Sequence, residues 1–124
     1  MANPLTAAIQ IVQGDDYRSE DSRAFIFSCP VTSTVNLVDG STTVSASFYS
    51  NRGAAATLTV TCTVQNPNTD LQQVTFELTA AQTALLVPGT WYVPIIATID
   101  QPGTEPSHVI TLVRVTATVK LPLG

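Results

Sequence analysis

The sequence predicts one all-β domain, an antiparallel β-sandwich that spans residues 1–124. Three observations predict this fold class. The chain has 124 residues, the length of one ordinary domain. Apolar side chains recur at every second position along most of it, which is the period of a β-strand. Charged residues make up only 11% of the chain, against about 25% in an average domain, and threonine, which favours strands, is abundant in their place.

The alternation divides the chain into about seven short strands. The first covers residues 5–12, and the clearest covers residues 57–64, where threonines alternate with apolar side chains. Residues that form turns separate the strands, and this spacing is typical of a two-sheet, immunoglobulin-like sandwich. The side chains predicted to point inward are Phe25, Phe27, Cys29, Val31, Val44, Ala46, Phe48, Leu58, Val60, Cys62, Val64, Val74, Phe76, Leu78, Trp91, Val93, Ile95, Ala97, Ile99, Val113, Val115, Ala117 and Val119.

Two local features interrupt the strand pattern. Thr79 and Gln82 match a capping box, in which each side chain satisfies a free backbone N–H at the start of a helix. The sequence therefore predicts one short helical turn that begins near Thr79 and ends near Leu86, before a Pro-Gly pair. In the strand that follows, Pro94 cannot donate a ladder hydrogen bond, which predicts that this strand is either an edge strand or a bulged one.

The charge balance and the distribution of apolar residues exclude two classes of partner, nucleic acid and membrane. The net charge is −4 and the basic residues are scattered, whereas binding to nucleic acid needs them clustered on one face. Nowhere do about 20 apolar residues run together as a membrane span requires, and no signal peptide opens the chain. The sequence predicts a protein made in a cytoplasm that binds neither nucleic acid nor membrane.

Few side chains are suited to catalysis or metal binding. The chain has a single histidine, His108, in a predicted loop, and two cysteines, Cys29 and Cys62, without metal-binding spacing. A nucleophile–base pair or a zinc site needs more groups than these. The sequence therefore predicts no enzymatic activity and no cofactor. It leaves two states open for the cysteines, namely buried thiols or a disulfide between facing strands.

One stretch, residues 15–23, concentrates charge. Two hypotheses compete with a plain solvated loop. Arginine is a good bidentate partner for carboxylates, so the stretch could form ion pairs between subunits. Carboxylate oxygens could also hold calcium, but the spacing of an EF-hand is absent. The candidate interaction residues in this stretch are Asp15, Asp16, Arg18, Glu20, Asp21 and Arg23.

Trp91 and Tyr92 form the one pair of adjacent aromatic residues. In a sandwich that binds carbohydrate, such rings stack on the sugar, so a carbohydrate-binding module used in host attachment is the alternative function. The competing interpretation makes Trp91 a core anchor and Tyr92 an outward ring. A surface with little charge also suits packing against neighbouring subunits.

Several segments together resemble a known family. They are IVQGDD at residues 11–16, VNLVDG at 35–40, TVSASF at 43–48, VTFELTAAQT at 74–83 and PGTWY at 88–92. They are similar to the small immunoglobulin-like domains of tailed-bacteriophage virions, notably the N-terminal domain of baseplate upper proteins. The similarity runs from about Ile9 to Val119 and is sharpest over residues 76–92.

The resemblance implies an immunoglobulin-like sandwich with a structural role and no catalysis. We expect an accessory or decoration protein, or a baseplate, tail or neck component, that is located in the virion. It would dock to other virion proteins through sheet faces and loops and form a homo-oligomer in a symmetric assembly. Family members that anchor fibres carry a long C-terminal extension, whereas this sequence stops at Gly124, which favours an accessory or decoration subunit.

Overall fold

Eight strands and one short helix make up the part of the chain that the computed structural model describes, residues 5–18, 20, 23–29, 37, 42–51, 53–66, 69–99 and 108–122, with the backbone alone for residues 99 and 108. In chain order the elements are β1 (Leu5–Val12), β2 (Phe25–Ser28), β3 (Thr42–Phe48), β4 (Leu58–Thr61), β5 (Thr63–Gln65), β6 (Gln73–Phe76), α1 (Ala80–Ala84), β7 (Gly89–Ile99) and β8 (His108–Lys120).

The strands form two sheets. A five-stranded sheet has the order β1-β8-β7-β3-β4, and a three-stranded sheet has the order β2-β6-β5. In immunoglobulin nomenclature, β2, β6 and β5 correspond to strands B, E and D, while β3, β7 and β8 correspond to C, F and G. The prediction of an all-β, immunoglobulin-like sandwich is confirmed. One pairing departs from the antiparallel rule, because β1 runs parallel to β8.

The inner faces of the two sheets meet in one apolar core. Each predicted inward side chain that the structure describes is buried or partly buried there; Val31 and the side chain of Ile99 lie outside the described residues. Phe76 on β6 contacts Phe48 on β3 edge to face, with ring centroids 6.1 Å apart. Phe25 and Phe27, on β2, also pack against Phe76, at 5.1 and 6.0 Å. Phe76 therefore joins the two sheets.

The prediction of one strand over residues 57–64 is wrong, although its alternation is correct. The backbone N–H of Cys62 still donates to Val44 of β3, at 2.8 Å. The next residue, Thr63, pairs instead with Thr75 of β6 in the other sheet. The chain changes sheets at Cys62, so the segment forms two strands, β4 and β5, while its inward face stays continuous with the core.

Pro94 does not lie in an edge strand, so that alternative is wrong. Its strand, β7, is flanked by β8 and β3. A bulge is found beside it, but the extra residue belongs to the neighbouring strand β8 and not to β7 itself. The pairing of β7 with β8 shifts register after Ile95, which lies opposite Val113, while Ile96 lies opposite Thr111. Leu112 is the extra residue of this bulge, and it is buried together with Val113.

The predicted helical turn is confirmed as α1. The N–H of Gln82 donates to the Thr79 hydroxyl at 3.2 Å, and the N–H of Thr79 donates to the Gln82 side chain at 2.8 Å, which completes the capping box.

The structure also bears on the histidine and the two cysteines. His108 begins β8 and does not lie in a loop. Cys29 and Cys62 are buried thiols, so the disulfide alternative is wrong.

The contact made by Phe76 leads to a prediction about stability. Phe76→Ala removes a fully buried ring that both sheets share, and we expect it to lower the free energy of unfolding by about 3–5 kcal/mol. The control is Ile26→Ala on the outer face of β2, where the side chain is 58% exposed; its cost should be about 1 kcal/mol or less. Urea denaturation measures both values, and equal losses would contradict the role given to Phe76.

Candidate functional site

The charged stretch of residues 15–23 packs against α1. Asp16 accepts a hydrogen bond from the N–H of Ala80 at 2.6 Å, so its carboxylate caps the first turn of the helix. The buried hydroxyl of Thr83 accepts from the N–H of Gly14 and donates to the carbonyl oxygen of Asp15, both at 2.9 Å. Gly14 has a φ of 88°, a conformation that favours glycine. The loop is thus fixed to the helix by its backbone at Gly14 and Asp15 and by the carboxylate of Asp16.

The other described charges of the stretch pair within the chain. Arg23 lies 3.3 Å from Asp15, and Arg18 lies 3.5 Å from Asp16 and 3.6 Å from Glu20. These side chains are 40–72% exposed, so each pair contributes little to stability, of the order of 0–1 kcal/mol. The Arg23 guanidinium also lies over the Tyr17 ring, 4.5 Å from its centroid. Asp21, the sixth candidate residue of this stretch, lies outside the described residues.

The calcium hypothesis finds no support in this geometry. Within the described ranges, no three Asp, Glu, His or Cys side chains lie close enough together to hold a metal ion. The oxygens of Asp15 and Asp16 are instead directed at Arg23 and at the helix N-terminus. The stretch therefore stabilises the junction of β1 and α1, and the hypothesis of ion pairs between subunits remains a prediction.

Trp91 and Tyr92 point in opposite directions, as successive residues of a strand do. Trp91 is 3% exposed, and its indole N–H donates to the carbonyl oxygen of Val87 at 2.9 Å. Tyr92 is 43% exposed on the outer face of the five-stranded sheet. The interpretation of Trp91 as a core anchor and Tyr92 as an outward ring is confirmed. Of the two aromatic candidates, only Tyr92 is placed to touch a ligand or partner.

Tyr92 lies in an open groove of roughly 700 Å³, which we call the tyrosine groove. It crosses the outer face of the five-stranded sheet over β7 and β8, and the end of β3 with its following loop forms one wall. The described residues that line it are Tyr49, Asn51, Gly53, Ala54, Tyr92, Val93, Pro94, Ile96, Thr111, Arg114, Val115 and Thr116.

The sheet register places the polar and aromatic side chains of the groove side by side. Tyr49 and Tyr92 exchange two backbone hydrogen bonds of 2.9 Å, so they are direct cross-strand neighbours. On the other side of β7, Tyr92 lies opposite Thr116 and Pro94 lies opposite Arg114. The groove therefore presents two tyrosines, a proline and an arginine on adjacent strands.

Pro94 also accounts for a gap in the sheet beneath the groove. The N–H of Tyr92 points to β3. Every second N–H of a strand points to the same side, so an N–H at position 94 would also point to β3. Pro94 has no backbone N–H and cannot donate this hydrogen bond. The regular pairing of β3 with β7 accordingly stops at Ala46 opposite Ile95 and resumes at Tyr49 opposite Tyr92.

Arg114 is the charged residue among the described lining residues of the tyrosine groove. It is exposed, and it has no ion-pair or hydrogen-bonding partner among the residues that the structure describes. In this it differs from Arg18 and Arg23, which both bind carboxylates of their own chain. An exposed guanidinium beside a proline and close to two tyrosines can bind a carboxylate or other acceptor of a ligand.

Sequence reasoning found Tyr92 and missed Tyr49, Pro94 and Arg114 as site residues. Pro94 and Arg114 occupy outward positions of their strands, so the period of two could have predicted that both lie on the outer face. Tyr49 comes beside Tyr92 only through the pairing of β3 with β7, which the sequence pattern does not specify.

No family model matches the chain, and no curated protein sequence matches it significantly. Within the described residues, no helix is long and apolar enough to cross a membrane.

The hydroxyl of Thr83 provides a test of the loop–helix junction. Thr83→Val keeps the shape of the side chain and leaves the N–H of Gly14 and the carbonyl of Asp15 without this partner, which we expect to lower the free energy of unfolding by about 1–3 kcal/mol. Thr83→Ser retains the hydroxyl and should lose less. Urea denaturation compares the two, and a valine variant at least as stable as the serine variant would show that the hydroxyl does not stabilise the junction.

The buried thiols predict a fall in stability at high pH. Burial raises the pKa of Cys29 from 9.0 to about 11, and burial together with the charge of Cys29 raises the pKa of Cys62 to about 12. Above pH 9 the unfolded chain loses thiol protons that the folded chain keeps, so the free energy of unfolding falls as pH rises from about 9 through about 12. Urea denaturation in this window should show a shallower fall for Cys29→Ala/Cys62→Ala. The same fall in both proteins would assign it to other groups.

Proposed function

We propose that this chain is a non-enzymatic structural subunit of a tailed-bacteriophage virion that docks to a neighbouring virion protein through the tyrosine groove. The observation that carries the docking role is the arrangement of Tyr49, Tyr92 and Arg114 in one open groove on the rigid sheet. The virion setting rests on the resemblance of residues 76–92 and their surroundings to virion immunoglobulin-like domains.

The chemistry of the groove is that of a protein interface. Tyrosine and arginine are among the residues most enriched at interface positions that contribute strongly to binding, because they combine a large apolar surface with directional hydrogen bonds. The surrounding surface has little charge, which lowers the cost of removing water from it. A partner segment that fits carries a carboxylate for Arg114, flanked by apolar side chains for Tyr92 and Pro94.

The same groove supports a second candidate function, carbohydrate binding during host attachment. Tyr49 and Tyr92 are cross-strand neighbours, and the ring of Tyr92 is partly exposed. Aromatic rings placed in this way can stack on the apolar face of a sugar while Thr116 and Arg114 supply hydrogen bonds. Protein docking is favoured because Trp91, the larger ring, is buried and cannot contribute to such a platform.

Incorporation into particles tests the proposal. Phage particles that lack the gene are complemented in the host with the wild-type chain or with Tyr92→Ala or Arg114→Ala, and the chain in purified particles is quantified by mass spectrometry. We expect each substitution to reduce incorporation by about 30-fold, the effect of losing a strongly contributing interface residue of about 2 kcal/mol. The matched control is Lys120→Ala, a cation on the same strand and the same outer face but outside the groove.

Each outcome separates the parts of the proposal. Absence of the wild-type chain from particles would refute the virion role. Normal incorporation of both groove variants would place the docking surface elsewhere. Binding of the wild-type chain to a glycan array, lost in Tyr92→Ala while incorporation is normal, would favour the carbohydrate function.

A further inference from the structure

The strand β1 forms a long edge of the five-stranded sheet. It pairs with β8 on one side, and no other strand of the described residues pairs with it. Natural edge strands are usually short, bulged, or interrupted by lysine or proline, because an exposed edge pairs with other chains. The opposite edge, β4, follows this rule with four residues. In contrast, β1 has eight residues, LTAAIQIV, without charge, proline or glycine.

The hydrogen bonds at the end of β1 show which backbone groups face the open edge. The N–H of Gln13 donates to Lys120 of β8, at 2.8 Å, so the odd-numbered residues bond to β8. The N–H of Val12 points the other way and donates to the Tyr17 hydroxyl at 2.6 Å, which closes this end of the edge. Thr6, Ala8 and Gln10 therefore direct their N–H and C=O groups to the open edge, and no described residue pairs with them.

We propose that two copies of this chain pair through β1, antiparallel, about a two-fold axis at Ala8. Ala8 then lies opposite Ala8 of the second copy, and Thr6 lies opposite Gln10 of the second copy. The three open residues of each strand meet the three of the other, with two backbone hydrogen bonds for each pair. The two sheets become one continuous sheet, with the same surface of each copy in contact.

Side chains on both faces fit this register. On the outer face the small Ala8 meets its equivalent at the axis, and the exposed side chains of Thr6 and Gln10 can hydrogen-bond across it. On the inner face Ala7 lies opposite Ile9 of the second copy, a small side chain against a large one. Both are only partly buried in the single chain, so pairing buries their remaining apolar surface.

No charged side chain belongs to β1, and this favours a second copy despite the net charge of −4. The charged residues of the adjacent strand, Arg114 and Lys120, lie beside Thr6 and Val12, one strand back from the edge. Across the axis they are about three strand spacings, roughly 14 Å, from their equivalents, beyond the Debye length at physiological salt.

The dimer goes beyond the docking function and does not depend on it. The two-fold axis of an antiparallel strand pair is perpendicular to the sheet, so both tyrosine grooves lie on the same face of the continuous sheet. Two grooves on one face can engage two equivalent sites of an assembly, which strengthens attachment without any new contact within either groove.

Sedimentation of the full chain over a concentration series up to roughly 1 mM tests the dimer. We expect the wild-type chain to approach twice the 13.1 kDa of one copy. Ala8→Pro should remain monomeric, because it removes an N–H from the centre of the new pairing and none from the bonds to β8. Circular dichroism confirms that this variant is folded.

A charge-exchange pair tests the register and does not rely on proline. Thr6→Lys/Gln10→Lys places lysine opposite lysine twice across the axis and should weaken the dimer by roughly tenfold or more. Thr6→Lys/Gln10→Glu places lysine opposite glutamate in the same positions and should retain the dimer. All of these positions are exposed, so the fold is preserved.

Three results would overturn the proposal. These are a wild-type chain that stays monomeric throughout the series, a dimer that persists in folded Ala8→Pro, and equal dissociation of the two charge variants. If the wild-type chain stays monomeric, the remaining occupant for the edge of β1 is a strand of a different protein. None of them affects the incorporation experiment with Tyr92 and Arg114, so failure of the dimer and failure of the docking function are distinguishable.

Discussion

The packing of Phe76 against Phe48 is the contact on which the sandwich depends. Phe76 belongs to β6, the middle strand of the three-stranded sheet, and Phe48 ends β3 in the other sheet. Their edge-to-face contact at 6.1 Å fixes where one sheet lies over the other. The core fills the inner faces, and no described strand covers the opposite, outer face of the five-stranded sheet. The tyrosine groove lies on that face, on strands that the core holds rigid.

A second set of contacts determines where the groove tyrosine points. Thr83 ties α1 to the turn after β1, and the indole of Trp91 donates to Val87 between α1 and β7. These contacts fix the start of β7 with Trp91 inward. Because side chains alternate along a strand, the inward Trp91 places Tyr92 outward. The buried ring of Trp91 therefore determines the direction of the exposed ring of Tyr92.

Features encoded within a few residues were predictable from the sequence. The period of two found the inward faces of the strands, and the spacing of Thr79 and Gln82 found α1. Pairing between distant segments was not predictable, because the alternation specifies which face of the sheet a side chain lies on and not which strand lies beside it. The change of sheet at Cys62, the central position of Pro94 and the contact of Tyr49 with Tyr92 all depend on such pairing. The candidate site was accordingly predicted only at Tyr92.

The two charged regions of the chain differ in a way that bears on recognition. In residues 15–23 the carboxylates and guanidiniums satisfy one another or cap α1, so an incoming partner would have to replace bonds that already exist. Arg114 lies beside Pro94 and Tyr92 and has no such bond to break among the described residues. An ion pair formed there, next to apolar surface that loses its water on docking, is worth more than one in open solvent. If Arg114 binds a partner as proposed, concentration of charge in the sequence is a poorer guide to a binding site than one cation that has no partner among the described residues.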